Sequence, residues 1–478
     1  MRAAHDVGTV RAAEAALMAT VPEGTLMQRA AAGLARTCAL VLGRCYGARV
    51  VLLVGSGDNG GDALFAGAAL AGRGARVDAV LLSERAHPGG LAALLRAGGR
   101  VVTDDTEAMD RIAASDLVVD GIVGIGGSGA LRPRAAELVA RAEAAGPVRV
   151  AVDLPSGVDA DSGHVAGPAF RADVTVTFGC LKPGLVVHPG HAHAGVVELV
   201  DIGLRPWLPP EPALLVPEAL DVAVAWPRPV ADDDKYSRGV VGVVAGSAAF
   251  AGAAVLSVGG AVQSGAGLVR YVGDVPEAVA AVRAHWPEAV VGSGRVQALV
   301  VGPGLGTGAT AAEAVRAALG SDVPVLVDAD ALTLLAAHPD WVRDRPGLTV
   351  LTPHDREFAR FGAAVGADRV AAARALAAAL GVVVLLKGST TVVARPDGTA
   401  HVNPTGTPLL ASGGTGDVLA GIVGALLAAG LGADAAVHGA FVHGLAARLA
   451  GAAGGPVTAM AVARAVPAAV ASLPGPPS

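Results

Sequence analysis

Short runs of apolar, mostly β-branched residues alternate along the chain with longer alanine-rich stretches. In the first 205 residues the apolar runs predict five strands, at residues 49–54, 76–82, 117–119, 148–152 and 174–178. After residue 230 they predict six more, at residues 240–245, 298–301, 323–327, 349–351, 382–386 and 391–394. Short strands that are apolar throughout and separated by helices are typical of parallel sheets covered on both faces. The pattern therefore predicts an α/β fold, in which ligands bind beyond the carboxyl ends of the strands.

A proline-rich segment separates the two groups of strands. Seven prolines lie between Pro206 and Pro229, and the acidic run 232–234 follows them. Proline removes a backbone donor and is excluded from helix interiors and central strands. We therefore predict domains at residues 1–205 and 231–478, joined by a linker at residues 206–230.

Composition argues against several classes of protein. The 478-residue chain has a net charge of −6 at neutral pH, which gives no electrostatic footprint for nucleic acid. Its three cysteines lack metal-ligand spacing and predict no disulfide framework, so we expect a reducing, cytoplasmic compartment. The N-terminal residues mix charges among alanines, as an amphipathic helix does and a signal peptide does not. Residues 239–269 carry no charge but include eight glycines, so we predict a buried strand and helix there and no membrane span.

Lysine and asparagine are scarce in this chain, which uses arginine for almost every cation. The only examples are Lys182, Lys235, Lys387, Asn59 and Asn403. All five fall in segments that are predicted to be loops. A lysine kept in such a sequence suggests a site that needs a compact point charge, and the five together favour functional positions.

Residues 412–417 read Ser-Gly-Gly-Thr-Gly-Asp and lead directly into the apolar run 418–427. A glycine-rich turn that opens into a helix directs several N–H groups and the positive helix end at one point, which suits a phosphate. An acid beside such a site, here Asp417, is unfavourable unless it moves a proton, so the pair suggests phosphoryl transfer. The alternative is an ordinary glycine-rich helix cap.

Three glycine-rich loops follow predicted strands of the first domain. In the first, Gly55, Gly57 and Gly60 fit G-x-G-x-x-G with Asp78 downstream, which alone would indicate an NAD-binding Rossmann unit. However, Asp58, Asn59 and Asp62 would crowd acceptors against a pyrophosphate.

The second of these loops begins at Asp120 and the third at Asp153. Asn59, Asp120 and Ser156 offer only oxygen ligands, which suit an alkali or alkaline-earth ion and not zinc. The alternative is that these side chains only cap helices.

The motifs Gly57-Asp-Asn-Gly-Gly-Asp62, Asp120 with its glycine-rich tail, and Asp153-Leu-Pro-Ser-Gly157 resemble the NAD(P)H-hydrate epimerase domain over nearly all of residues 1–205. The resemblance implies a Rossmann-like three-layer α/β/α domain with Asp153 as a catalytic residue and potassium (K+) bound by Asn59, Asp120 and Ser156. Many members have a second asparagine at the position of Asp58, and the role of Lys182 stays open. The residues implied to bind the hydrated nucleotide are Asp58, Asn59, Gly60, Gly61, Asp62, Gly124, Ile125, Gly126, Gly127, Ser128, Gly129 and Ala130.

The second domain has its own series of loop motifs. They are Lys235-Tyr-Ser-Arg-Gly239, Val301-Gly-Pro-Gly-Leu-Gly306, Thr352-Pro-His354, Leu386-Lys-Gly388 and Gly413-Gly-Thr-Gly-Asp417. The segment around Lys387 fits a nucleotide phosphate but lacks the spacing of a P-loop. The alternative to a functional role for His354 is that it caps a helix or lies in the core.

In this order the second-domain motifs resemble the ribokinase-like α/β fold, and more narrowly the ADP- or ATP-dependent NAD(P)H-hydrate dehydratase domain, over roughly residues 231–475. The resemblance implies Asp417 as the general base. It implies a hydrate site lined by Ala253, Gly304, Gly306 and His354. The residues implied to contact the adenine nucleotide are Lys387, Gly388, Ser389, Thr390, Thr391 and Gly416.

These resemblances lead us to expect a bifunctional enzyme that repairs hydrated nicotinamide cofactors. Its expected substrates are the hydrates of NADH and NADPH (NADHX and NADPHX) and ADP with Mg2+. Its expected products are the repaired cofactor, AMP and phosphate. We also expect the enzyme to be a homo-oligomer. A kinase of a small alcohol is the enzymatic alternative, because the same glycine loop and aspartate serve both reactions. A non-catalytic binding module is the alternative for the first domain.

Overall fold

The computed structural model describes residues 1–127, 129–343 and 345–475. By their internal contacts these residues form two compact units. The first unit is Ala3–Leu214, and the second is Leu215–Ser478 together with Met1 and Arg2. A short strand, β1 (Arg2–Ala4), opens the chain.

The first unit contains a sheet of seven parallel strands in the order β4-β3-β2-β5-β6-β7-β8. The strands are β2 (Arg49–Val54), β3 (Arg76–Leu81), β4 (Arg100–Val102), β5 (Leu117–Gly121), β6 (Val148–Val152), β7 (Val174–Phe178) and β8 (Val196–Val200). The helices are α1 (Val7–Met18), α2 (Thr25–Leu42), α3 (Asp58–Gly72), α4 (Pro88–Arg96), α5 (Asp105–Ala113), α6 (Pro133–Ala145) and α7 (His191–Ala194). Two separate clusters of buried residues include the sheet's side chains, one with Leu52 and one with Leu53. Because neighbouring residues of a strand point to opposite faces, both faces of the sheet are covered.

The second unit has an eleven-stranded sheet in the order β1-β9-β18-β17-β16-β15-β14-β13-β10-β11-β12. Its further strands are β9 (Leu214–Val216), β10 (Val240–Val244), β11 (Leu268–Tyr271), β12 (Val290–Val291), β13 (Ala298–Val301), β14 (Val325–Val327), β15 (Thr349–Leu351), β16 (Val383–Leu386), β17 (Val392–Ala394) and β18 (Ala400–Val402). Its helices are α8 (Ala219–Ala225), α9 (Ala251–Gln263), α10 (Pro276–His285), α11 (Ala309–Leu319), α12 (Asp330–Ala337), α13 (Asp355–Phe358), α14 (Arg369–Leu380), α15 (Thr415–Ala428), α16 (Asp434–Ala450) and α17 (Ala459–Ala471).

The expected linker at 206–230 differs from the structure. Strand β9 and helix α8 lie inside it, and Val222 and Ala223 of α8 are buried in the core of the second unit. The prolines lie outside or at the ends of these short elements. Their missing backbone N–H therefore removes no hydrogen bond from inside a helix or strand. The second unit therefore begins at Leu215 and not at residue 231.

All eleven predicted strands correspond to strands of the structure, but the last one runs in the opposite direction from that expected. Strand β17 pairs antiparallel with β16, with Leu385 opposite Val393. Only the short loop 387–391 connects the two strands, and a connection of this length cannot return the chain for a parallel pairing. Strand β18 is also antiparallel to β17.

Helices α9 and α15 pack with their backbones in contact at the centre of the second unit. A Cβ on Gly421 would lie 2.0 Å from the carbonyl oxygen of Ser257, and one on Gly260 would lie 2.2 Å from that of Val418. Only glycine fits at either position. The charge-free run 239–269 is β10, α9 and the start of β11, and no helix in the described part of the chain is long and apolar enough to cross a membrane.

Candidate active sites

The first site is built where β2, β5 and β6, which are neighbours in the sheet, reach their carboxyl ends. Asp120, on β5, accepts hydrogen bonds from the Ser156 backbone N–H (2.8 Å) and from Ser156 Oγ (2.7 Å). Asn59, at the start of α3, is buried, and its backbone oxygen lies 3.1 Å from where a Cβ of Gly121 would stand. The structure therefore brings the three predicted ligand residues to one end of the sheet.

The electrostatics of this cluster centre on one buried carboxyl. Asp120 is fully buried, and burial raises its pKa to about 6 even though the Ser156 hydrogen bonds act in the other direction. Among the described residues Asn59 Nδ2 has no hydrogen-bond partner. The side chains of Asn59, Asp120 and Ser156 supply oxygen ligands, which hard cations prefer.

Asp153, at the end of β6, forms a buried ion pair. Lys182 Nζ lies 2.6 Å from Asp153 Oδ1 and 3.0 Å from both Thr177 Oγ1 and the carbonyl oxygen of Phe178. The three donors of this ammonium are thereby used, and Lys182 is 1% exposed. Asp153 also has a φ of 64°, a left-handed conformation that costs a non-glycine residue about 1–3 kcal/mol and is concentrated at functional sites.

The second glycine loop meets the other two loops at Gly124. A Cβ there would stand 2.9 Å from Asn59 Oδ1 and 3.1 Å from Asp153 Oδ2, so only glycine leaves this space open. The N–H of Ile125 donates to Asp153 Oδ2 at 3.3 Å. Farther along, Gly126, Gly129 and Ala130 are exposed and Gly127 is half-buried, while Ser128 lies outside the described residues.

The first loop forms the opening turn of α3, which holds all five predicted substrate-binding positions there: Asp58, Asn59, Gly60, Gly61 and Asp62. Asp58 is exposed and the other four are buried. The pKa of Asp62 lies well above its usual value because of burial first, and then because of the charges of Asp153, Asp58 and Glu14. Glu14, on α1, also has a raised pKa through burial, and no motif in the sequence singled it out.

Asp78 does not occupy the ribose-binding position of a Rossmann unit. It is the third residue of β3, within the strand, and its Oδ1 lies 3.0 Å from Arg100 Nη2 on the neighbouring strand β4. Asp78, the acidic residue that the dinucleotide motif requires, therefore pairs with Arg100 within the sheet. The interpretation of the first loop as an NAD-binding motif is wrong.

The second site lies at the N-terminus of α15. The turn before the helix places Gly414 at a φ of 87°, and Thr415 Oγ1 donates to the carbonyl oxygens of Leu410 (2.8 Å) and Ser412 (3.0 Å). Asp417 is in the first helical turn. Burial raises the pKa of Asp417 to about 7, Asp328 adds to this rise, and Lys387 opposes it. A carboxyl with such a pKa can exchange a proton near neutral pH.

Lys387 connects the end of β16 to a group of acids. Its Nζ lies 2.8 Å from Asp328 Oδ1 and 3.6 Å from Glu357 Oε2, and Thr352 Oγ1 also donates to Asp328 Oδ1 at 2.8 Å. Burial lowers the pKa of Lys387, but the carboxylates of Asp328 and Glu357 more than offset this, so its pKa is raised overall. A Cβ on Gly416 would lie 3.4 Å from Lys387 Nζ, which places the ammonium against the glycine turn.

The predicted hydrate-binding positions come together in part. Gly304 has a φ of 65°, and a Cβ there would stand 2.7 Å from the Cβ of Ala253. The N–H of Gly306 donates to Asp330 Oδ2 at 2.8 Å. His354 caps α13, where its Nδ1 accepts from the N–H of Glu357 at 3.2 Å, and its place at the hydrate site stays a prediction.

The loop after Lys387 is anchored from outside the strand. Arg369 Nη2 donates to the Lys387 carbonyl oxygen at 2.9 Å. A Cβ on Gly388 would come within 2.6 Å of Arg369 Nη2. Gly388 and Ser389 are exposed, whereas Thr390 and Thr391 are buried.

Two of the five scarce residues make their side-chain contacts outside the two clusters described above. Asn403 Nδ2 donates to the Ala440 carbonyl oxygen at 2.9 Å, and Asn403 Oδ1 accepts from Thr405 Oγ1 at 2.9 Å, so this side chain joins a loop to a helix. Lys235 Nζ lies 5.3 Å from the centre of the Tyr236 ring. Scarcity alone therefore did not identify the site residues.

Comparison with known proteins agrees with this division into two sites. Residues 23–184 match the family described as YjeF-related protein N-terminus, and residues 241–468 match the family described as NAD(P)H-hydrate dehydratase. A bifunctional NAD(P)H-hydrate repair enzyme from Mycobacterium leprae is 51% identical over 468 residues, which cover 95% of this chain and 96% of the relative.

Solved structures agree for the ribokinase-like fold. The ADP/ATP-dependent NAD(P)H-hydrate dehydratase of Bacillus subtilis, co-crystallised with ATP and Mg2+, is 30% identical with a TM-score of 0.50, covering 55% of this chain and 99% of that one. A ribokinase-like superfamily protein of Enterococcus faecalis, 24% identical with a TM-score of 0.50, covers 55% of this chain and 98% of that one and shows the fold alone. Since the similarity to the mycobacterial relative extends through both units, this chain belongs to the family of bifunctional NAD(P)H-hydrate repair enzymes.

Proposed function

We propose that the first unit interconverts the R and S hydrates of NADH and NADPH, and that the second converts the S hydrate to the intact cofactor at the expense of ADP. The observation that carries the second assignment is the position of Asp417. Its half-buried carboxyl, with a pKa raised to about 7 chiefly by desolvation, lies in the first turn of α15 beside the glycine turn and near Lys387. This arrangement supports a base that faces a phosphate site.

The reaction of the second unit begins with transfer of a phosphoryl group to the ring hydroxyl. Asp417 takes the hydroxyl proton, the oxygen attacks the β-phosphorus of ADP, and the bond from that phosphorus to AMP breaks. The N–H groups of Gly414 and Gly416 and the ammonium of Lys387 would stabilise the transferring group, a contribution of about 3–4 kcal/mol for each well-placed donor.

The second step releases phosphate. The lone pair of the ring nitrogen forms a double bond to the carbon that carries the phosphate, and the carbon–oxygen bond breaks. Loss of a proton from the neighbouring ring carbon then restores the dihydropyridine. The sum is hydrate plus ADP giving NAD(P)H, AMP and phosphate.

ADP as the nucleotide, with Mg2+, is the finer part of this proposal. The Bacillus subtilis dehydratase, whose fold is similar, is described as ADP/ATP-dependent and was crystallised with ATP and Mg2+. We expect ADP to be used by this chain, with Lys387, Gly388, Ser389, Thr390, Thr391 and Gly416 at the nucleotide.

Potassium is the cation that we propose for the first unit. The site offers a buried carboxylate, a hydroxyl oxygen and an amide oxygen, all from residues that are buried. These features fit a large, hard monovalent cation held by Asn59, Asp120 and Ser156. When bound, K+ would offset the buried charge of Asp120 and fix the Ser156 loop beside the hydrate.

The deciding experiment follows the recovery of NADH absorbance from a mixed R and S hydrate preparation, with ADP, with ATP or with neither nucleotide. Complete recovery with ADP, faster than spontaneous epimerisation, is expected. Recovery that stops at the S fraction would leave only the dehydratase and make the first unit a binding module. No recovery with either nucleotide would overturn the repair function in favour of a small-alcohol kinase.

A further inference from the structure

The two buried aspartates of the first site have different surroundings, and this difference bears on how a hydrate could be epimerised. Asp153 is paired with the ammonium of Lys182 at 2.6 Å. Asp62 has no cationic partner among the described residues: its side chain is 8% exposed, and its Oδ1 is buried without a hydrogen-bond partner. One carboxyl thus forms an ion pair, and the other has an unused position for a proton.

The two groups face the same space. Asp62 lies three residues after Asn59 on α3, so both side chains project from one face of the helix. Asn59 Oδ1 and Asp153 Oδ2 both border the space beside Gly124, at 2.9 Å and 3.1 Å from the position that a Cβ would take. The helix face that carries Asp62 therefore borders, together with Asp153 Oδ2, the opening that glycine leaves.

We propose that Asp62 is the general acid and Asp153, through Oδ2, the general base of an epimerisation that opens and recloses the hydrated ring, with Lys182 as the residue that positions Asp153. This inference rests on the proposed epimerase function of the first unit. It gives a specific role to Asp62, for which the family resemblance implied only substrate binding. It does the same for Asp153, for which the resemblance implied an unspecified catalytic role.

The distribution of hydrogen bonds within Asp153 identifies the reacting oxygen. Oδ1 accepts from Lys182 Nζ and, at 3.2 Å, from Thr177 Oγ1. Oδ2 accepts only the longer 3.3 Å bond from the N–H of Ile125 among the described residues. Since Lys182 has spent its donors on Asp153, Thr177 and Phe178, it orients the carboxylate without reaching the substrate.

The protonation of Asp62 agrees with its assigned role. Its pKa is raised well above the usual value, first by burial and then by Asp153, Asp58 and Glu14, the charged groups that act on it from β6, α3 and α1. Two carboxyl groups whose surroundings differ in this way are the arrangement that separates acid and base roles in other enzymes.

Ring opening keeps a complete balance of protons. The C6 hydroxyl proton passes to Asp153, the C6–O bond becomes a carbonyl, the C6–N1 bond breaks with its electrons on N1, and Asp62 gives its proton to N1. The resulting aldehyde is planar at C6. Reclosure reverses each transfer after attack on either face, so both aspartates return to their starting states.

Exchange of the hydroxyl with water across the ring would not restore these states. Asp62 would protonate the departing hydroxyl, and Asp153 would take a proton from the water that adds on the opposite face. At the end of the reaction Asp62 would be ionised and Asp153 would carry the proton. The ammonium of Lys182 opposes that state because it pairs with the carboxylate of Asp153. The observed surroundings therefore favour ring opening.

The test runs the epimerisation in H₂¹⁸O and follows the oxygen of the epimerised hydrate by mass spectrometry, beginning from one pure epimer without nucleotide. We expect most epimerised molecules to retain ¹⁶O. Incorporation of one ¹⁸O in every epimerised molecule would overturn the ring-opening route. If the unchanged enzyme does not interconvert the epimers at all, the proposed function fails before this inference is reached.

A variant tests the role of Asp62 separately. Asp62→Asn keeps the size and burial of the side chain but cannot supply an acidic proton, so kcat for epimerisation is expected to fall about 10²–10⁴-fold with little change in KM. The rate of the second unit on the S hydrate, measured in the same preparation, shows that the chain is folded. A kcat equal to that of the unchanged enzyme would overturn the assignment.

Discussion

Asp328 Oδ1 lies 2.8 Å from Lys387 Nζ, although the two residues are 59 positions apart in the chain. The pair joins the ends of β14 and β16 across the intervening strand β15, whose following residue Thr352 donates to the same oxygen. Both groups also act on Asp417: Asp328 raises its pKa and Lys387 lowers it. The proton affinity of Asp417 is therefore set by residues from other strand ends as well as by its own burial.

The dehydratase rate should rise with pH through about 7. In the proposed mechanism Asp417 acts as a base in its ionised form, and burial with Asp328 raises its pKa to about 7. Below that pH the ionised fraction falls about tenfold per unit, and kcat should fall with it. Recovery of NADH from the S hydrate at saturating ADP, measured across this range, gives the midpoint.

Asp328→Asn should move that midpoint to lower pH. Removing a negative charge near Asp417 lowers its pKa, so the ionised form persists in more acidic solution. The exposed carboxyl of Asp397 provides a control, because Asp397→Asn should leave the midpoint unchanged. An unchanged midpoint in Asp328→Asn would show that Asp417 is not the titrating base.

Gly304→Ala should damage the second unit. The left-handed φ of 65° costs an alanine about 1–2 kcal/mol, and the new Cβ would overlap that of Ala253. We expect a matching loss in the free energy of unfolding and a raised KM for the S hydrate. Gly308→Ala is the control, since Gly308 has a φ of −75° and no atom within 4 Å of the new Cβ. Equal behaviour of the two variants would contradict the prediction.

Lys182→Met should destabilise the first unit and abolish epimerisation. Removal of one member of a buried ion pair typically costs about 3–5 kcal/mol, because the other charge is left buried and unpaired. Arg49→Ala removes a comparable but exposed pair, with Asp116 at 3.0 Å, and should cost only about 0–1 kcal/mol. Denaturant unfolding of both variants, with dehydratase activity as the check on the second unit, makes the comparison.

The cation site can be tested without activity. Crystals soaked in rubidium, which replaces potassium and scatters anomalously, should show a peak beside Asn59, Asp120 and Ser156. Asp120→Asn should remove the peak, because the site loses its only charged ligand in the predicted set. No peak in the unchanged protein would overturn the proposed potassium site.

The strands and loop ends could be predicted because they depend on local patterns. All eleven apolar runs became strands, and the glycine loops after them lie at the predicted ends of the sheets. The short strand β9 and helix α8 were missed because prolines on either side suggested a linker, and the pattern contained no sign that Val222 belongs to a core. The direction of β17 depended on the length of one loop.

The partners within each site were beyond the reach of the sequence. Lys182 and Lys387 stood out by their rarity, but nothing in the spacing indicated that Asp153 and Asp328 would be their partners. These pairings arise from the order of strands in each sheet, which brings together residues 29 and 59 positions apart. Asn403 is as rare as Asn59, but its side chain makes a structural hydrogen bond to Ala440. Rarity alone therefore does not distinguish a structural residue from a site residue.

The backbone contact between α9 and α15 also limits how the second site can move. Ala253 near the start of α9 and Asp417 near the start of α15 belong to two helices that touch through Gly260 and Gly421. A sliding motion of either helix would drive a carbonyl oxygen into a Cα atom of the other. The two helix starts that carry Ala253 and Asp417 therefore move as one piece, so that motion at the proposed hydrate site is left to the surrounding loops.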